Sequence, residues 1–200
     1  MSEISPSALI LKLESYPQLL NGLSKLPPRE RNLRMRELAR TDLYFLLRYL
    51  LNRKDLEHPW LFARCREVET EPDGRIDLWA RGAYKSTIIT FAKTVQDILA
   101  SHGDDPLAKW GGIELTFGIF SHTRPIAKAF LRQIRDELAK NAKLIELFPD
   151  VLYENANRDA PRWSEDSGIV VRRRSNPKEA TVEAWGLVDG QPTSKHFNVL

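Results

Sequence analysis

The sequence predicts an α/β fold in which an all-helical N-terminal segment, residues 1–68, precedes a mainly parallel sheet with flanking helices over residues 69–200. Three observations carry this prediction. Apolar residues recur at helical spacing through the first seventy positions. From residue 75 onward, period-two alternation gives way repeatedly to spacings of three and four. The resulting order, strand then helix then strand then helix, leaves enough chain between strands for right-handed crossovers, which parallel strands require.

Each element follows from its residues. Leu9, Leu11, Leu13, Leu19, Leu20 and Leu23 suit one amphipathic helix, which Pro27-Pro28 ends because proline lacks the N–H and restricts the residue before it. A second helical segment covers residues 29–51. It begins with Arg29, Arg31, Arg34, Arg36 and Arg40 against Glu30 and Glu37, then turns into Leu43-Tyr44-Phe45-Leu46-Leu47, so one end is expected in solvent and the other on a core. The arginines read as a solvated face, with a DNA-facing patch as the alternative. Glu71-Pro72-Asp73-Gly74 is a turn signal, and Arg75-Ile76-Asp77-Leu78-Trp79-Ala80 alternates as a strand does. Ile88, Phe91, Ala92, Val95, Ile98 and Leu99 mark the next helix. Residues 113–120 read as a second strand, and Ile126, Phe130, Ile134 and Leu138 as a helix with Thr123 as its cap and Pro125 in its first turn. Residues 168–171, 180–187 and 197–200 are further strand candidates. The last of these reads as the start of a buried strand, so the expectation is a longer chain of which this is the front part.

The composition belongs to a globular chain: 42% hydrophobic and 28% charged residues, with ten glycines and twelve prolines in 200, exclude disordered and fibrous classes. Thirty Lys and Arg against 27 Asp and Glu leave +3, which permits a nucleic-acid partner without requiring one. Cys65 is the single cysteine, which excludes an internal disulfide framework and a thiolate-rich zinc site. The longest apolar stretch, residues 43–51, contains Arg48 and falls far short of the roughly 20 residues a membrane span needs. No membrane partner and no signal peptide are expected. His58, His102, His122 and His196 are scattered without metal-ligand spacing.

The chemistry concentrates between the first strand and its helix, at Arg81-Gly82-Ala83-Tyr84-Lys85-Ser86-Thr87. A phosphate-binding loop needs backbone N–H groups turned into one concavity, a helix N-terminus behind them, a lysine for the outer phosphates and a hydroxyl for magnesium. Lys85 and Ser86 supply the last two, and Gly82 supplies a glycine. The two glycines of the usual pattern are replaced by Trp79 and Tyr84, and a tyrosine is expected there with a negative φ. Arg81, on the rim, is positioned to neutralise charge on a γ-phosphoryl group; its commoner role is a salt bridge to a neighbouring carboxylate. The fold class sharpens to a P-loop NTPase of the RecA type.

The residues from Trp79 to Thr90, Trp79-Ala80-Arg81-Gly82-Ala83-Tyr84-Lys85-Ser86-Thr87-Ile88-Ile89-Thr90, resemble the Walker A loop of the large terminase subunit of tailed bacteriophages. Gly118-Ile119-Phe120-Ser121-His122-Thr123-Arg124-Pro125-Ile126-Ala127 is similar to that family's second strand and following helix. Gly186-Leu187-Val188-Asp189-Gly190-Gln191-Pro192-Thr193-Ser194-Lys195-His196-Phe197 is similar to the segment before its Walker B strand. The resemblance runs from about residue 43 to the end and implies an ATPase that drives double-stranded DNA into procapsids. It implies ATP and Mg2+ as cofactors, with Lys85 on the β- and γ-phosphates, Ser86 on magnesium and Arg81 sensing the γ-phosphate. It also implies the small terminase subunit, the portal and procapsid, and a homo-oligomeric ring as partners, in the cytoplasm of a bacterial host.

The acidic pair that such an ATPase needs is not found. Asp104-Asp105 reads as a solvated turn. Asp189 ends an apolar run but is followed by Gly190, and in the family the pair would come just after residue 200, ahead of a separate nuclease domain. Binding without turnover is therefore expected of this chain. Arg172-Arg173-Arg174 reads as a solvated hairpin tip or a contact to DNA backbone, and Trp60 and Phe62 as core or as an adenine platform. Two other functions stay open: a different P-loop DNA motor such as a helicase or repair ATPase, and a non-catalytic DNA- or capsid-binding piece.

Overall fold

The computed structural model describes residues 12–70, 76–107, 110–189, 192 and 194–200. Leu9 and Leu11 of the first predicted helix, the turn at Glu71 to Gly74 with Arg75, and Gly190, Gln191 and Thr193 of the third terminase-like block lie outside the described residues. The molecule combines helices with a small mixed sheet. Helix α1 (Tyr16–Ser24) is followed by α2 (Pro28–Thr41), which has proline in its first turn, where the missing N–H costs nothing.

The single helix expected over residues 29–51 is broken. At Asp42 the backbone is extended (φ −135°, ψ 98°), and its carboxylate accepts the Phe45 N–H at 2.8 Å, capping α3 (Leu43–Phe45), which continues as a π turn over Leu46–Leu50. The other Asp42 oxygen accepts the Tyr16 hydroxyl at 2.6 Å, and Arg66 of α4 (Pro59–Thr70) pairs with the same carboxylate. Arg66 also meets Glu69, which takes the Leu43 N–H at 2.6 Å and the Gln96 amide at 3.0 Å. This buried network binds the N-terminal helices to α5 (Thr94–Ser101). Burial raises the Glu69 carboxyl and the Tyr16 phenol above their ordinary values, the latter with help from Asp42. Burial likewise pushes the Cys65 thiol up to about 12, which makes it a packing residue rather than a nucleophile.

The helix after the candidate loop starts at Lys85, runs as a π segment over Thr87–Lys93 and continues as α5. Every residue from Phe91 to Ser101 is buried, including Lys93 and Asp97, which pair with each other. A helix buried all round is the axis of the core.

The sheet has the order β1 (Phe117–Ser121), β4 (Val182–Gly186), β3 (Gly168–Ile169), β2 (Trp163–Ser164). β1 and β4 are parallel and α6 (Arg124–Lys140) packs on both, whereas β4–β3 and β3–β2 are antiparallel. The mainly parallel sheet of the sequence reading is therefore corrected to a mixed one, because β2 and β3 form a short hairpin rather than crossover strands. On its other edge, β1 holds the last residues in parallel: Gly118 N–H donates to Val199 O at 2.9 Å, and Phe117 bridges Val199. Helices α7 (Ala142–Leu147) and α8 (Ala156–Asp159) connect α6 to the hairpin.

The strand expected at Arg75 to Ala80 does not form over its described part. Residues 76–80 have no strand partner, and Ile76 and Leu78 are 87% and 89% exposed. Alternation alone does not make a strand; a free edge must be beside it. β1 has both edges taken, by β4 and residues 198–199, and β4 has both taken by β1 and β3.

Thr123 does occupy the cap position of α6, but its side chain makes no cap bond. Asp189 does this work instead, its two oxygens accepting the Arg124 N–H at 2.9 and 3.1 Å. Gly186 makes the approach possible, since a Cβ there would lie 1.6 Å from Asp189 Oδ1.

Candidate functional site

The predicted segment forms a turn ahead of the buried helix. Ala83 N–H donates to Ala80 O at 3.2 Å, closing the turn, and Ile88 N–H donates to Tyr84 O at 2.9 Å as the first full helical bond. Between these, the N–H groups of Lys85, Ser86 and Thr87 open the helix without an intrahelical acceptor. Gly82 has φ +82°, and a Cβ built there meets nothing within 4 Å, so the space over the loop is open.

Tyr84 departs from expectation. Its φ is +57°, in the left-handed region that favours glycine, where a negative value was expected. The residue that stands in the usual glycine position thus adopts a glycine conformation. Two neighbours hold it: the Arg53 guanidinium lies 5.9 Å from the ring centre, and Arg53 in turn grips Asp55 at 3.0 and 2.7 Å. The Asp55 carboxyl is held below its usual range, first by Arg53 and to a smaller degree by the Tyr84 hydroxyl. Neither Arg53 nor Asp55 was singled out from the sequence, because nothing in their spacing connects them to a residue thirty positions on.

The change of hand between Tyr84 and the right-handed helix that begins at Lys85 turns successive N–H groups toward one side, which is the geometry of an anion-binding nest. Lys85 is exposed, and its ammonium donates to Asp77 O at 3.1 Å, folding back along the segment before the loop. Ser86 and Thr87 are half-buried and Arg81 is exposed; among the described residues Arg81 has no hydrogen-bond or ion-pair partner. The structure therefore brings Arg81, Gly82, Ala83, Tyr84, Lys85, Ser86 and Thr87 into one open turn on a rigid helix.

Trp60 and Phe62 separate. Phe62 packs edge-on against Tyr16 and Tyr44 in the core, whereas Trp60 is partly exposed and meets Trp79 edge-on at 5.6 Å. Two of the five arginines of α2 are engaged inside the molecule. Arg36 grips Asp150 through two bonds of 2.5 Å, and Arg40 is buried, donating to Leu99 O at 3.1 Å and to Asp105 at 3.0 Å. Arg34 pairs with Glu37 on the surface, which leaves the exposed Arg29 and the half-buried Arg31 as the remainder. Arg172 stacks 4.6 Å over Tyr153 and donates to Leu152 O.

Among the described residues, no group of three or more histidines, cysteines and carboxylates is placed to hold a metal ion, and no helix is long and apolar enough to cross a membrane. No family model, curated protein or solved structure matches the chain.

Proposed function

We propose that the chain is an ATP-binding module of P-loop type, the motor part of a large terminase subunit that powers packaging of double-stranded DNA into procapsids. The observation that carries this reading is the left-handed residues Gly82 and Tyr84 just before Lys85-Ser86, at the start of a helix that is buried from Phe91 onward. Such a turn directs N–H groups and the start of a helix dipole toward one side, and the ammonium of Lys85, held on Asp77 O, is within the same turn to be recruited, which suits a polyphosphate. The open space over Gly82 and the N–H groups of Lys85 to Thr87, which have no acceptor within the helix they open, fit a phosphate chain.

In this reading the backbone from Gly82 to Ser86 cradles phosphate oxygens, Lys85 leaves Asp77 O for the outer phosphates, and Arg81 bears on the terminal one. The Ser86 hydroxyl would hold Mg2+, which when bound supplies positive charge to the phosphate oxygens. The small subunit, the portal and a ring of like subunits belong to the same proposal, as does a bacterial host cytoplasm.

Calorimetry of ATP-Mg with the chain and with Lys85→Ala tests it. The parent is expected to bind and the variant to lose at least about tenfold in affinity, the loss of one charge-assisted contact. Equal affinity in the two proteins would sink the phosphate-loop assignment.

A further inference from the structure

Away from the loop, one cavity gathers positive charge. It has a volume of about 300 Å3 and lies after β3, between Tyr153, Arg162, Arg173, Arg174 and Asn176, over a floor that includes Val170 and Val171. Its two inner arginines are positioned by neutral groups. Arg162 Nη1 donates to Lys178 O at 3.3 Å, while Arg173 donates to Glu179 O at 2.9 Å and to Pro177 O at 3.2 Å. Carbonyl oxygens fix the direction of a guanidinium without cancelling its charge. Among the described residues neither Arg162 nor Arg173 has a carboxylate within ion-pair distance.

The third arginine, Arg174, is the exposed lip of the cavity and reaches Glu114 only at 3.7 Å. Glu114 itself faces the adjoining cavity, where it accepts the Arg174 and Ser175 N–H groups at 2.6 and 2.8 Å and the Ser175 hydroxyl. Burial works against its charge, but those donors outweigh it and hold the carboxyl below its usual range. Burial first, and the Arg162 charge second, pull Arg173 down from the ordinary guanidinium range, against the weaker opposing charges of Glu114 and Glu179. Arg162 and Arg173, neither with a carboxylate at ion-pair distance and with Glu114 and Glu179 acting on Arg173 only from further off, stand above an apolar floor as donors for an anion.

We infer that this cavity is a site for a phosphate oxyanion, free or carried in a polynucleotide backbone, separate from the loop at Lys85. None of its lining residues belongs to that loop. A liquid water takes roughly 30 Å3, so the volume admits a phosphate together with several waters. Arginine forks suit the oxygens of a phosphate better than a lysine point charge does.

The test uses the full chain carrying Lys85→Ala, which removes the ammonium of the loop, and adds Arg162→Ala, Arg174→Ala or Arg173→Lys singly. Inorganic phosphate is titrated by calorimetry, and a random-sequence duplex of about 20 base pairs by filter binding over a salt series. The Lys85→Ala protein is expected to keep binding at least one probe, and each arginine-to-alanine change to weaken it about tenfold, as loss of a charge-assisted bond does. Arg173→Lys retains the charge and loses the fork, so it is expected to fall between the parent and the alanine variants. Phosphate binding assigns the free anion; duplex binding alone, with a salt slope reduced by about one per arginine removed, assigns the backbone. The inference is overturned if neither probe binds, if Lys85→Ala alone abolishes binding, or if Arg162→Ala and Arg174→Ala, folded by circular dichroism, bind as their parent does. Should Arg162→Ala unfold, the exposed Arg174→Ala carries the same decision.

Discussion

Tyr84 offers a direct measurement of how the loop is built. A non-glycine residue at φ +57° carries a left-handed backbone cost of about 1–2 kcal/mol, because Cβ crowds the next carbonyl. Alanine keeps that cost and loses the contacts that offset it, chiefly the Arg53 guanidinium over the ring, which at a partly exposed site contributes about 0.5–1 kcal/mol. Glycine loses the same contacts and removes the cost, but restores chain entropy to the unfolded state by roughly 0.5–1 kcal/mol. The two variants share every lost contact, so their difference isolates the backbone. Tyr84→Gly is expected to be more stable than Tyr84→Ala by about 1 kcal/mol, or roughly 2–4 °C in Tm for a chain of this size. Urea and thermal unfolding followed by circular dichroism read that difference. An alanine variant equal to or more stable than the glycine variant would mean that position 84 is not held left-handed, and the nest ahead of Lys85 would go with it.

Two other outcomes follow from the fold. Burial lowers His102 from 6.5 to about 4, so the folded state resists a proton that the unfolded chain accepts; stability is complete above about pH 6.5 and falls as the pH drops toward 4, by up to about 3 kcal/mol. The difference in unfolding midpoint between the native chain and His102→Gln should therefore shrink or reverse in favour of the variant on acidification from pH 7 to 4.5, and a constant difference would refute the buried neutral imidazole. Asp189→Ala removes the acceptor at the α6 N-terminus and is expected to cost about 1 kcal/mol in denaturant unfolding, with Asp189→Asn recovering part of it; no change in either would show that water caps the helix equally well.

Helix periodicity was legible in part: in α6 Ile134 and Leu138 are buried at the expected spacing, but the first half of the buried face runs through Ala127 and Leu131 and leaves Ile126 48% exposed. The helix after the loop was legible too, because the helical spacing from Ile88 onward is local information. What stayed hidden depends on partners far along the chain. Arg36 reads as a surface charge until Asp150 is brought to it from 114 positions away. Asp42 reads as one more polar residue in a helix until Tyr16 and Arg66 converge on it. The alternation at residues 76–80 predicts a strand, yet whether a strand forms is decided by which sheet edges remain free, and that is a property of the assembled fold. The sign of φ at Tyr84 was misjudged for a related reason: propensity gives the cost of the left-handed state, not the contacts that offset it.

The loop and its helix differ sharply in freedom, and that difference bears on how an anion would be received. The helix behind Lys85 is enclosed from Phe91 onward and cannot shift to meet a ligand without unpacking the core. The turn ahead of it is exposed, and its lysine is held by one carbonyl contact at 3.1 Å. An exposed bond of that kind is worth about 1 kcal/mol. Two unit charges at 4 Å attract by about 4 kcal/mol at the effective dielectric of a protein surface, before desolvation. After solvent screening an exposed ion pair nets no more than about 1 kcal/mol, so a phosphate would compete with Asp77 O for Lys85 on about equal terms and would need the backbone donors as well. The backbone donors need no such rearrangement, since the hand of Tyr84 fixes them beforehand. At the proposed phosphate site, N–H groups on a rigid axis with a single side chain free to swing would make binding depend on the ammonium for strength and on residue 84 for shape, so substitutions at those two positions should separate affinity from stability.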